Sequence, residues 1–427
     1  MKSPKPILPR PSFASLALVC SMIFALSATF AVLPSEAQVQ AEFKDSFRSG
    51  EIIVALTAGT DVNEFNAQFG TAVKGQIPGT DQYLLSLPTG VSVEDKLGEF
   101  AKSLDVEFSS PNFNFQPAEV RQRSQAFIDQ RSQAFIDGQS PINYYGQVSL
   151  KALQLTEAQK ISVGSGVKVA VIDTGIDFNH PLFVGRIAYP VYDFVDNDLN
   201  PTDEPGGVGY GHGTFVSGLI ALTATGAQIM PIRAFDREGF GTSFNLAKAI
   251  RFAADNGAQV TNMSFGLLDK DKLIDEAITY AHNKTFQVAA VGNDNVEYLH
   301  FPAIRKSKTF GVASTNYNDT KAIFSNFGRE VQVAAPGVNL YSAYPGNRWA
   351  YWSGTSFSTA LVTGEAALLL QLNPNMNRAS LSTIISSSGA NIDSLNPAYA
   401  GKLGRVRIDY LQSINRTLSR SQKTSDK

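Results

Sequence analysis

Continuous apolar runs in the second half of the chain constrain the fold most. "GVKVAVIDTG", "GAQVTNMSFG", "FQVAAVGN" and "TFGVAST" do not alternate between apolar and polar residues. A strand with one face in water alternates, whereas a strand buried on both faces of a parallel sheet reads as an unbroken run. The stretches "GTFVSGLIALTA", "SFNLAKAIRFAADNG" and "KLIDEAITYAHNK" lie between them with apolar residues at helical spacing, Gly257 closing the second. Repeated strand–helix alternation predicts an α/β domain over residues 141–415, a doubly wound, mostly parallel sheet with helices on both faces. The polar tail at 416–427 is expected to be loose.

A second, smaller unit precedes it. "EIIVAL", "QYLLSLP" and "DVEFSSPNFNFQP" read as strands, and "DVNEFNAQFG" and "VSVEDKLGEFAKSL" as helices with Asp61 and Ser92 as N-caps. This order predicts a small α+β domain at 42–118. Residues 119–140 form a linker in which "QRSQAFID" occurs at 122–129 and again at 130–137. Two copies are too few for a stacked repeat, and a duplication within a tolerant linker explains them.

At the N-terminus, Lys2, Lys5 and Arg10 precede uncharged Phe13 to Leu33 and then "PSEAQVQ". Ser35 and Ala37 fit the small positions of an export-signal cleavage site, which assigns 1–37 as a signal peptide and the protein to the outside of the cytoplasm, secreted or periplasmic. An uncleaved anchor is the alternative, and only then would the chain meet a membrane. Cleavage would also remove Cys20, the one cysteine, leaving neither disulfide nor thiol nucleophile. With 36 basic and 38 acidic residues interspersed, no tract suits nucleic acid.

Candidate reactive residues sit where the predicted strands and helices meet. Asp173 ends a strand, the place where open parallel sheets bind ligands. A shared-proton carboxylate dyad would need a second Asp-Thr-Gly or Asp-Ser-Gly, and the sequence has none. Asp173 is therefore read as orienting a histidine. Of the four histidines, His282 falls in a helix, His180 precedes Pro181 in a turn, and His300 lies beside "FPA". His212 stands between glycines at the mouth of a helix, a context that is more often structural than catalytic. Ser356 opens the helix of "SGTSFSTALVTGEAALLLQL", where a serine is by default an N-cap. The same helix end would also stabilise an oxyanion. Asn293 follows Gly292 at a strand end, by default a turn residue. Together they supply base-orienter, base, oxyanion donor and nucleophile, in the order Asp…His…Ser and without a Gly-x-Ser-x-Gly elbow.

"VAVIDTGIDFNHP", "GHGTFVSG" and "SGTSFSTALVTG" resemble the three signature segments of the subtilisin-like serine proteases (subtilases), over about Tyr144 to Leu411. Residues 42–118 resemble a subtilase propeptide. The resemblance implies a secreted serine endopeptidase made as a zymogen, with Asp173, His212 and Ser356 as triad and Asn293 in the oxyanion hole. It implies that Ser264, Phe265 and Gly266, with Gly239, Phe240 and Gly241, form two edges that pair with substrate backbone. Protein or peptide substrates and the chain's own propeptide, as intramolecular inhibitor, would be its partners. A processing protease for a single partner and a subtilase-fold binding protein with latent activity are the alternatives.

Departures from the family pattern are Phe215 for a frequent His, Phe357-Ser358 for Met-Ala, and Ala360 for Pro. The chemistry requires no cofactor. A structural calcium ion is the open question: Asp193, Asp196, Asp198, Asp203 and Glu204 offer oxygens, but without EF-hand spacing a solvated loop fits better.

Overall fold

A computed structural model describes residues 47–115, 135–138 and 142–425. The export-signal assignment at 1–37 falls outside the described residues. The long apolar runs form a nine-stranded sheet ordered Gly389–Ala390, Arg407–Ile408, Val333–Pro336, Phe310–Thr315, Phe286–Ala290, Val260–Met263, Lys168–Asp173, Gln228–Arg233 and Tyr192–Asp193. Every ladder is parallel except the one between Gly389–Ala390 and Arg407–Ile408.

Alternate residues of these strands enter two separate cores, which is why the runs are continuous. Val169, Val171, Val288 and Val312 join one core with the helices His212–Thr223 and Thr355–Leu372. Ala170, Ile172, Ala289 and Ala313 join the other with the helices Ser243–Asp255 and Lys272–Ala281. Both faces exclude water, so neither needs polar residues. The strand Gln228–Arg233 carried a weaker signal because Pro231 interrupts it. Pro231 pairs with Val171. Ile229, two residues earlier, turns its N–H and C=O outward to Arg186 and Ala188. The N–H that Pro231 lacks would therefore face the outer side, where the edge strand pairs only at Ile232 and Arg233.

The smaller domain has one strand more than expected. Its sheet runs Ala72–Gln76, Gln82–Ser86, Phe47–Leu56, Val106–Phe115, all antiparallel. Ala72–Gln76 is largely exposed and gave no apolar signal. Asp61 and Ser92 cap the helices Val62–Phe69 and Val93–Phe100 as expected, accepting from Asn63 and Glu64 N–H and from Asp95 N–H respectively. Those helices bury Phe65 and Phe100 against Ile52, Val54 and Leu85. The other face, including Ile53, turns toward Phe244 and the helices behind it.

One expectation needs correction. The tail is not loose: a helix runs Tyr410–Ser425. Its buried face is Tyr410, Ser413, Ile414 and Thr417, and two polar members hid the helical period. The linker also contributes one strand. Phe135–Gly138, the last three residues of the second "QRSQAFID" copy and the glycine after it, forms a strand against Arg348–Trp352 of a hairpin that begins at Leu340–Tyr344. The first copy lies outside the described residues.

Candidate active site

The strand order doubles back at Lys168–Asp173, which lies between Val260–Met263 and Gln228–Arg233. Ligand crevices of open α/β sheets form at such a point, beyond the carboxyl ends of the strands. Asp173 ends the first strand, Ser264 follows the second, and Asn293 lies just beyond Phe286–Ala290.

His212 is the first residue of its helix, behind Gly211 in the left-handed conformation. Its Nδ1 lies 2.7 Å from Asp173 Oδ1, and both residues are buried. Gly213 permits this approach, since a Cβ there would fall 2.2 Å from Gly175 O. Asp173 Oδ1 also accepts from Thr174 N–H at 2.8 Å, and its carbonyl accepts from Ala234 N–H at 2.9 Å. These bonds hold the carboxylate at the strand end.

Ser356 is not an N-cap. Gly354 takes that position without a side-chain cap, and Ser356 is the second helical residue. The Thr355 N–H donates to Asn293 Oδ1 at 2.9 Å, which ties the asparagine to the positive end of the serine helix. Ser356 Oγ donates to Ser264 O at 3.0 Å, and Ser264 Oγ returns a bond to Ser356 O at 3.1 Å. Phe357, next to the serine, stacks 5.7 Å from the His212 ring. His212 thus meets Asp173 directly, Asn293 meets the start of the serine helix, and Phe357, next to Ser356, meets the His212 ring.

The departures from the family pattern also find partners. Phe215 and Phe357 lie 4.5 Å apart and enclose His212 with Trp352. Ser358 hydroxyl bonds Ser314 Oγ and reaches the carbonyls of Ala335 and Pro336. Ala360 is fully buried in the helix.

The edge at Gly239, Phe240 and Gly241 is partly occupied by the chain itself. Asn114 and Phe115, at the end of the small domain, pair antiparallel with Thr242 and Gly241. Phe113 N–H donates to Ser243 Oγ, and Asn112 Oδ1 accepts from Phe244 N–H.

The acidic loop is exposed over Asp196 to Asn200, while Asp193 and Asp203 are buried. Arg233, 1% exposed, places its guanidinium 2.5 Å from Asp193 and Asp196 and 2.7 Å from Glu204. A guanidinium thus sits among the carboxylates proposed as cation ligands, and the described residues hold no cluster of three or more metal-ligating side chains. Asp203 points elsewhere, into the base of the histidine helix. The other histidines stand outside the Asp173–His212 pair. His180 is buried; its Nδ1 accepts from Leu182 N–H and its Nε2 donates to Arg348 O. His282 ends its helix half-buried. His300 is buried with Nε2 2.5 Å from Asp294 and packs against Gly266 and Gly292. Thr174, whose hydroxyl lies between Asp203 and the Gly213 N–H, was not singled out by the sequence, and Asp203 was read only as an oxygen donor of the acidic loop.

A model of the family described as "Subtilase family" matches residues 164–404, more than half of the chain. The chain belongs to the subtilase family. A second model, "Fervidolysin N-terminal prodomain", matches residues 34–112, so this subtilase is a serine protease with an N-terminal prodomain, an arrangement that implies a zymogen. Thermitase of Thermoactinomyces vulgaris is 40% identical over 234 residues, 52% of this chain and 81% of thermitase. Subtilisin BL of Lederbergia lenta is 32% identical over 243 residues, 55% of this chain and 87% of that protein. The crystal structure of fervidolysin from Fervidobacterium pennivorans, described as a keratinolytic enzyme related to subtilisin, superposes with a TM-score of 0.71. It covers 86% of this chain and 61% of its own, and at 22% identity it bears on fold alone. The doubly wound, mostly parallel sheet and the preceding small domain are the subtilisin-like architecture.

Proposed function

We propose that this subtilase is a secreted serine endopeptidase that hydrolyses peptide bonds through an acyl-enzyme intermediate. Ser356 Oγ attacks the peptide carbonyl, and His212 Nε2 takes its proton and later delivers it to the leaving amine. Asp173 fixes the tautomer that carries the proton on Nδ1 and stabilises the imidazolium. Asn293 and the Ser356 N–H receive the oxyanion at the helix end. The observation that carries this reading is the buried 2.7 Å contact between His212 Nδ1 and Asp173 Oδ1. Burial keeps water from competing for that contact and so preserves the geometry.

Substrate backbone would pair along Ser264, Phe265 and Gly266 on one side and Gly239, Phe240 and Gly241 on the other by strand addition. The pairing of Asn114 and Phe115 with Thr242 and Gly241 supports a propeptide that blocks the second edge until it is cut away. Export rests on the N-terminal sequence. No helix among the described residues is long and apolar enough to cross a membrane.

The test is the intact mass of the purified precursor and of its Ser356→Ala variant, incubated side by side with a fluorophosphonate probe. Wild type is expected to take the label and lose its N-terminal segment through a cut between Ala118 and Pro141. The variant is expected to stay whole and unlabelled. Equal labelling or equal cleavage of the two proteins would remove Ser356 as nucleophile.

A further inference from the structure

Asp203 is 4% exposed and lies nine positions before His212 on the loop that feeds the histidine helix. Among the described residues no cation bonds its carboxylate, which instead accepts four hydrogen bonds. Oδ1 takes Gly211 N–H at 3.0 Å and the Thr174 hydroxyl at 3.3 Å. Oδ2 takes Thr214 N–H at 3.2 Å and the Thr214 hydroxyl at 2.7 Å. The Thr174 hydroxyl in turn accepts from Gly213 N–H at 3.0 Å. Gly211, Gly213 and Thr214 flank His212, and Thr174 adjoins Asp173. One carboxylate therefore clamps the end of the histidine helix to the end of the aspartate strand.

We propose that Asp203 is a positioning residue for the His212–Asp173 pair. The inference rests on the assignment of His212 as general base. Hydrogen bonds at the backbone on both sides of a catalytic side chain fix its orientation, and small misplacements of reacting groups are costly in rate. An ionised carboxylate accepts all four donors, whereas a protonated one must give up an acceptor site.

The surroundings make that ionisation depend on pH. Burial pushes the Asp203 pKa up to about 6, the hydrogen bonds from Gly211 and Thr214 oppose the rise, and nearby Asp173 adds to it. Tyr210, on the same loop, has a phenol that feels the Asp203 charge, as well as those of Arg348 and Asp177. Asp193, Asp196 and Glu204 of the loop are held by Arg233. The raised pKa means that Asp203 is ionised, and the clamp complete, only as pH rises through about 6. Protonation of Asp203 therefore adds a second acid-side loss to the one that any general base shows when it is protonated.

The experiment compares wild type, Asp203→Asn and Thr174→Val after maturation, with rates normalised to fluorophosphonate-labelled sites. Asp203→Asn is expected to lower kcat by roughly 10²-fold with little change in KM. The acid limb of log(kcat/KM) against pH should approach a slope of about 2 in wild type and about 1 in Asp203→Asn. Thr174→Val keeps the titrating group but cuts one arm of the clamp, so it should lose roughly tenfold in kcat and keep the steeper limb. A folded Asp203→Asn with wild-type kcat and wild-type slope overturns the proposal. If that variant does not fold, wild-type kcat in Thr174→Val overturns it. A wild type that neither labels nor hydrolyses peptide removes the triad reading, and this inference falls with it. An active wild type with an indifferent Asp203→Asn removes this inference alone.

Discussion

Arg233 shows how one side chain can organise a loop. Its partner Asp193 is buried as deeply as the guanidinium, while Asp196 and Glu204 are about half exposed, at 53% and 45% of their side chains. Burial pushes the Asp193 carboxyl up, and the Arg233 hydrogen bonds pull against that rise. The buried contact therefore matters most, since exposed pairs are screened by water. Arg233→Met would leave Asp193 charged and unpaired in the interior, which costs about 3–5 kcal/mol. Urea unfolding of the mature protein is expected to show this loss, with a further Asp193→Asn substitution recovering part of it. An additive double variant would argue against the pair.

The serine helix Thr355–Leu372 is buried nearly all round, and it carries a carboxylic acid on its inner side. Glu365 accepts from the Ser413 hydroxyl at 2.6 Å, while its second oxygen has no hydrogen-bond partner among the described residues. Burial, with Asp409 nearby, raises its pKa from 4.5 to about 8. A raised carboxyl pKa means that the folded state holds a proton the unfolded chain has released. Its stability contribution is complete below pH 4.5 and is lost as pH climbs through about 8. Glu365→Gln mimics the protonated form at every pH. Thermal melts across that window should fall less steeply for the variant, with the largest difference at the alkaline end. Parallel curves would mean that Glu365 does not titrate there. Its neighbour Gly364 sets the spacing to the histidine helix, since a Cβ would meet the Thr223 Cβ at 2.5 Å.

In the whole molecule, the prodomain sheet lies on the helices Ser243–Asp255 and Lys272–Ala281, which follow the edge at Gly239 to Gly241. Gln82 hydrogen-bonds Glu276, and Lys272 lies over the Phe108 ring. Burial raises the Glu276 pKa; Lys272 and the Gln82 bond lower it, and Glu107 adds to the rise. The docked state thus favours protonated Glu276, so docking weakens as pH rises through its titration. After the precursor is diluted, active protease should appear faster as pH rises above the ordinary carboxylate range. Glu276→Gln should reduce that dependence. An unchanged pH profile in Glu276→Gln would show that another group controls release.

The sequence by itself determined the main sheet, because residues that must be apolar on both faces leave an unbroken signal. It also brought Asp173, His212, Asn293 and Ser356 into view, since each sits at the strand or helix end where its chemistry could be used. Tertiary structure alone decided the rest. The strand Ala72–Gln76 and the helix Tyr410–Ser425 carry little apolar pattern of their own, the first being mostly exposed and the second burying hydroxyls. The strand Phe135–Gly138 exists only because the hairpin edge at Arg348–Trp352 is there to pair with it. Asp193 and Asp203 read alike in one acidic loop, yet one meets Arg233 and the other the base of the histidine helix. Local composition states that a carboxylate is present; only the chain brought from a distance fixes whether a cation, a row of N–H groups or water receives it.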